Sequence, residues 1–331
     1  MSGDGAVAYA IRRDETVELA VQRIARWELR RAMAALVRDD GRPAAEVARE
    51  CRARSRKVRG LARLVRPALK GGYRPVVKAL RVASAELDGI GDELVLATTF
   101  DRLLTRMGPL VPDGGLEGVR YRLRRRAARA TTSTSDPRFQ EPAHRSLVAL
   151  VEAEVAVSEW KLGKAKWDAV DDGIAGVYAD GRHALAVAQA VPSGEHFSRW
   201  RRQARYTRYH LRLLSDTAPS QCVPLAERLH DVSNALGDAR RLERLVNLLV
   251  ADPDVICGRT EVEQAITLAD GCRVDLQRRA LGAGARLFAE EPTAYAARLA
   301  GYRRVWHDLG DEPEVGGISA ARLGLGGPEG G

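Results

Sequence analysis

Aromatic side chains are scarce in this chain of 331 residues, at 5% of the total. Strands collect β-branched and aromatic side chains, so the shortage argues against sheet, while a composition led by Ala, Leu, Arg and Val favours helix. Cysteine is also sparse. Cys51, Cys222, Cys257 and Cys272 form no CxxC pair and stand at no zinc-ligand spacing from a histidine, which leaves buried reduced thiols as the expectation. No apolar run approaches the ~20 residues of a membrane span, and the N-terminus carries no apolar signal core. The expectation is a soluble cytoplasmic protein with no membrane partner. Signatures of catalysis are missing too: there is no P-loop, no HExxH and no G-x-S-x-G. The six histidines include no i, i+4 pair, so neither a metal nor a cofactor is expected, and the chain reads as a non-enzyme.

What the chain has in quantity is arginine. The net charge is +9 and the pI about 9.7, a modest excess that becomes informative through its distribution. Arg49 to Arg74 contains ten Lys or Arg residues against the single acid Glu50, and Arg199 to Arg212 contains six arginines and no acid. Within these stretches Arg49, Arg52, Arg56, Arg59 and Arg63, with Lys57 beside them, recur at offsets of three or four. Arg201, Arg205, Arg208 and Arg212, with Arg202 beside them, do the same. On a helix such offsets hold the guanidinium groups on one face. A solvated helix usually mixes signs so that i, i+4 ion pairs form, whereas a one-sign stripe repels itself. An extended polyanion is the ligand that would neutralise it, and guanidinium suits phosphate through planar, bidentate hydrogen bonds.

Turn chemistry divides the chain. The spacing predicts helices over about 16–37, 44–65, 74–88 and 92–107, a basic segment over 120–129, and further helices over 144–161, 165–190, 196–215, 219–235, 238–251, 259–281 and 292–308. This gives a flexible leader over 1–13, an N-terminal helical half over 14–110, a basic segment and linker over 111–143, a C-terminal helical half over 144–308 and a disordered tail over 309–331. Each half holds one arginine-striped helix followed by a Gly-Asp step, Gly91-Asp92 and Gly237-Asp238, which suggests two related helical bundles. Both aspartates read as helix caps, with a general base as the alternative. Arg54 falls on the apolar side of its helix and is left unexplained. Nucleic acid is the competing polyanion, since Trp200, Tyr206 and Tyr209 lie within the second basic helix. Trp200 and Tyr206 point away from the stripe on the helical wheel and read as core. A helical scaffold docking an acidic protein is a further alternative.

At these residues the chain resembles the CHAD family, the conserved histidine alpha-helical domain. Arg49-Glu50-Cys51-Arg52 through Arg63-Leu64 is similar to the family's first basic helix, and Phe197-Ser198-Arg199-Trp200-Arg201-Arg202 through Arg212-Leu213-Leu214 to its second. Asp171-Asp172-Gly173-Ile174 with Tyr178 and Gly181-Arg182 resembles a third motif, and Leu236-Gly237-Asp238 a fourth. The resemblance covers about residues 14–308. Arg49 and Ser198 stand where the family has its naming histidines, and Arg240-Arg241 where it continues with His-Asp. The resemblance implies an all-α fold of two four-helix-bundle halves related by a pseudo-two-fold, with a basic central cavity. It also implies binding of inorganic polyphosphate and association with polyphosphate granules in the cytoplasm. The residues expected to hold phosphate are those of the two stripes, with Arg23, Arg26, Arg30, Lys70, Tyr73, Arg74 and Arg182 as second-rank candidates. Some relatives carry a fused triphosphate-tunnel domain; no β-rich segment of that kind is read here.

Overall fold

The computed structural model describes residues 9–38, 40–69, 71–107, 115–163, 166–251 and 258–311. Those residues form eleven α-helices, and no strand occurs among them. In chain order the helices are α1 (Val17–Val37), α2 (Ala44–Leu64), α3 (Tyr73–Glu86), α4 (Asp92–Met107), α5 (Glu117–Ala130), α6 (Pro137–Ser158), α7 (Lys166–Ala190), α8 (Gly194–Leu213), α9 (Pro219–Ala251), α10 (Arg259–Leu287) and α11 (Pro292–Leu309). A short 3-10 turn, Ser215–Thr217, joins α8 to α9.

Local chemistry sets several helix starts. The Thr16 hydroxyl accepts the Leu19 N–H, and the Ser193 hydroxyl accepts the His196 N–H at 3.2 Å. The apolar spacing predicts that helix resumes only at about His144, but α6 begins at Pro137. The Asp136 carboxylate accepts the Arg138 N–H at 2.8 Å, and Pro137 occupies the first helical position, where its missing N–H is no loss.

Two cores organise the helices. The larger is built from α1, α2, α3 and α6, which pack in a ring, together with α7, α8, α11, the first half of α9 and the end of α10. The smaller joins α4 and α5 to the second half of α9 and the start of α10, through Phe100, Leu123, Leu245 and Leu249 among others. Residues 92–107 were grouped by sequence with the N-terminal half, yet their apolar face meets α9 and α10, while α6 packs on α1 and α3. Periodicity shows that a helix has an apolar face but not which helix will cover it.

A second difference concerns Gly237. The sequence predicts a break there, with Asp238 capping a new helix. The structure has one continuous 33-residue helix, α9, and Asp238 lies inside it, ion-paired to Arg241. Asp92, by contrast, is the first residue of α4, and its carboxylate receives Arg244 of α9 at 2.6 Å.

Candidate functional site

α2 and α8 pack directly on each other. Their approach is close at Gly60, where an added Cβ would stand 2.9 Å from the Tyr209 ring. Beside that contact the buried His210 ring donates from Nε2 to the Gly60 carbonyl at 3.0 Å. Burial pushes His210 down to about 4, so the ring is neutral at pH 7 and serves as a tether between the two helices. Tyr9 closes one end, edge-on to Tyr209, with its hydroxyl donating to the Lys57 carbonyl.

This packing makes the arginines of the two helices electrostatic neighbours. Burial, then Arg205 opposite, pushes Arg56 down to about 10. Burial, then Arg205, Arg241 and Arg56, pushes Arg201 down to about 9. Arg205 is lowered by burial and by Arg59 and Arg240, and Arg208 by burial and Arg212. Arginine keeps its proton at neutral pH regardless. The depressions mark burial first, and second the mutual repulsion of neighbouring arginines. Among the described residues Arg56, Arg59, Arg205, Arg208 and Arg212 make no ion pair, and the Arg59 Nε is buried without a hydrogen-bond acceptor.

The Arg201 guanidinium is held more firmly than its neighbours. Its Nε donates to the Ser233 carbonyl of α9 at 2.9 Å, and its plane lies against Gly237, where a Cβ would collide with it. The glycine in the middle of α9 thus makes room for a cation. Arg240, one turn before Arg244 on the same helix, adds to the positive field at Arg201 and Arg205. In the sequence Arg240-Arg241 stands out only as a departure from the family pattern; two adjacent arginines just after a glycine are the signal available there.

Other residues of the two stripes are engaged elsewhere. Lys57 turns to α1, where its Nζ meets the fully buried Glu28 at 2.6 Å, and Arg54 reaches the same carboxylate at 3.0 Å. That shared carboxylate explains why Arg54 lies on the apolar side of α2. Arg52 donates to the Leu87 carbonyl at 2.8 Å, and Arg63 pairs with Asp180 of α7. Arg49 and Arg202 are exposed. Of the secondary residues, Arg23 binds Glu15 at 2.9 Å and the Ala10 carbonyl, Arg30 binds Glu154 at 2.7 Å, and Arg182 binds Glu291 at 2.7 Å. The Arg26 Nε is buried without an acceptor. Tyr73 lies under Arg66 at 5.2 Å, and Arg74 is exposed. Lys70 lies outside the described residues.

Among the described residues no group of three His, Cys, Asp or Glu side chains is placed to hold a metal ion, and no helix is long and apolar enough to cross a membrane. Trp200 is fully buried against Gly284, and Tyr209 is buried on Gly60, so neither offers a free ring face for a base to stack on.

No curated protein matches the chain. A family model does: the CHAD domain matches residues 20–250, a span from α1 to the last turn of α9 that contains both arginine-striped helices and the glycine step between Arg201 and Arg240. With a match over more than half of its length, the chain belongs to the CHAD domain family.

Proposed function

We propose that this protein binds inorganic polyphosphate without turning it over, in a basic cleft between α2 and α8 backed by α9. CHAD domains are associated in general with polyphosphate binding. The observation that carries the finer reading is the set of arginines that make no ion pair among the described residues, Arg56, Arg59, Arg205, Arg208 and Arg212, and that meet where two helices pack, with Asp231 the one acid acting on Arg208. Folding such a cluster costs repulsion, and a chain of phosphates would remove that cost by supplying bidentate acceptors along its length. In this reading the two bundles are related by a pseudo-two-fold, each contributes one stripe, and the protein works in the cytoplasm on polyphosphate granules. The burial of Trp200 and Tyr209 favours a phosphate chain over nucleic acid. The ion pairs of Asp92 with Arg244 and of Asp238 with Arg241 favour binding over general-base chemistry.

Charge reversal tests the site. The double variant Arg56→Glu/Arg59→Glu is expected to bind long-chain polyphosphate at least about a hundredfold more weakly, as two guanidinium contacts are replaced by repulsion. Titration calorimetry on the folded variant reads this, with circular dichroism as the folding control. Unchanged affinity in a folded double variant would remove the cleft from consideration.

A further inference from the structure

The N-terminal ends of α2 and α4 enclose a cleft of about 420 Å³ whose chemistry differs from that of the arginine cluster. Its rim carries Arg49, Arg52, Arg102 and Arg241. Its floor is aliphatic, built by Ile90, Leu94 and Val95, and Leu94 and Val95 remain 43% and 36% exposed. Glu46, one turn before Arg49 on α2, lies in the same wall. Gly91 fixes this geometry: its φ of 81° is open to glycine, and a Cβ there would collide with Ala45 of α2. The volume falls within the range of small-molecule sites.

The cleft continues the arginine cluster. Arg52 lies one turn before Arg56 on α2, and Arg241 follows Arg240 on α9, so a phosphate chain lying on Arg205 and Arg56 runs out past both. Among the described residues Arg49 and Arg102 make no ion pair. An inorganic chain gains nothing from an aliphatic floor and is repelled by the Glu46 carboxylate. A nucleoside uses both, because its base can cover Leu94 and Val95 and its ribose hydroxyls can donate to a carboxylate. Cations, an apolar face and the Glu46 carboxylate, unpaired among the described residues, are together the complement of a nucleotide, whose phosphates would meet Arg49 and Arg102 directly and would draw Arg52 from Asp88 and Arg241 from Asp238.

We propose that this cleft holds the nucleoside end of a nucleoside polyphosphate, with its phosphates on Arg49, Arg52, Arg102 and Arg241 and running toward Arg56. The proposal rests on the reading of the arginine cluster as the phosphate track. The full chain is titrated calorimetrically at one ionic strength with adenosine 5′-tetraphosphate, inorganic tetrapolyphosphate and long-chain polyphosphate. The nucleoside form is expected to bind about tenfold more tightly than the inorganic tetramer, which corresponds to about 1.4 kcal/mol. The surface variant Leu94→Ser/Val95→Ser is expected to erase that preference and leave tetrapolyphosphate binding as it was. Glu46→Ala is expected to erase any advantage of the ribose form over its 2′,3′-dideoxy analogue. Equal affinity for the two tetraphosphates, or equal weakening of both by the Leu94/Val95 variant, overturns the proposal even if long chains bind. Retained nucleoside preference with no long-chain binding overturns the polyphosphate reading and leaves the cleft. Failure of all three ligands overturns both.

Discussion

Individual residues show how this fold handles concentrated positive charge. Glu28 is fully buried yet carries two cations, Arg54 and Lys57, which are thereby removed from the arginine cluster. Gly237 works in the opposite sense, admitting Arg201 to the face of α9. Gly237→Ala is expected to leave thermal stability nearly unchanged, since the helix preference of alanine over glycine, about 1 kcal/mol, is offset by loss of the Arg201 Nε hydrogen bond to Ser233 as that guanidinium is displaced. Polyphosphate affinity should nevertheless fall several-fold as Arg201 moves; an unaltered affinity would show that the position of Arg201 is immaterial. His210 makes a pH-dependent contribution. In the unfolded chain it takes up a proton near 6.5, whereas in the folded protein it does so only near 4. The stability it confers is complete above pH 6.5 and is lost as the pH falls toward 4. At about 1.4 kcal/mol per pH unit the loss amounts to about 3 kcal/mol. Denaturant titrations at pH 7 and pH 4 should show His210→Gln losing less stability than the wild-type chain by roughly that amount, and identical losses would contradict the assignment.

At the scale of elements, the contacts of α2 decide the site. Its arginine face meets α8, its apolar face meets α1 and α3, and its last turn is met by α7 at Gly173. A Cβ at Gly173 would collide with the Leu64 carbonyl, which is backbone and has no rotamer to escape into. Gly173→Ala is therefore expected to cost more than the 1–3 kcal/mol of ordinary overpacking and to lower Tm by several degrees in a thermal melt. Gly60→Ala meets only side chains, the Tyr209 and Tyr206 rings, and should cost less. The opposite ranking in Tm would show that the α2–α8 crossing, not the α7 approach, is the tighter constraint. The amphipathic pattern of α2 was legible from Val47, Cys51, Val58 and Leu61, all of which are buried. The partners of that face were not legible, because 3.6-residue periodicity carries no information about which other helix supplies the complementary surface.

For the molecule as a whole, the arginine cluster sets opposite responses to salt. Without ligand, salt screens the mutual repulsion of Arg56, Arg201 and Arg205, so Tm is expected to rise between low and moderate ionic strength. With polyphosphate, the same salt competes for the arginines, and affinity is expected to fall steeply, by analogy with counterion release from nucleic acids. Ligand binding should itself raise Tm in proportion to the logarithm of its concentration. Differential scanning fluorimetry across a salt series, with and without polyphosphate, measures all three. A Tm of the free protein that falls with salt would contradict an uncompensated cluster.

The sequence by itself determined that the chain is helical, where most helices lie and which two of them carry a one-sign face. These are properties of local composition and spacing; the family came from the resemblance at the motif residues and is shown by the match over residues 20–250. It could not determine that α9 runs unbroken through Gly237, that α4 and α5 share their core with α9 and α10, or that Lys57, Arg52 and Arg63 find partners while Arg56, Arg59 and Arg205 find none among the described residues. A glycine reads as a break until the guanidinium that needs its space is seen. An arginine reads as available until an acid or carbonyl from a distant segment is brought beside it. Only tertiary packing sets those long-range distances, and at such distances Coulomb energy and burial decide which cations remain uncompensated.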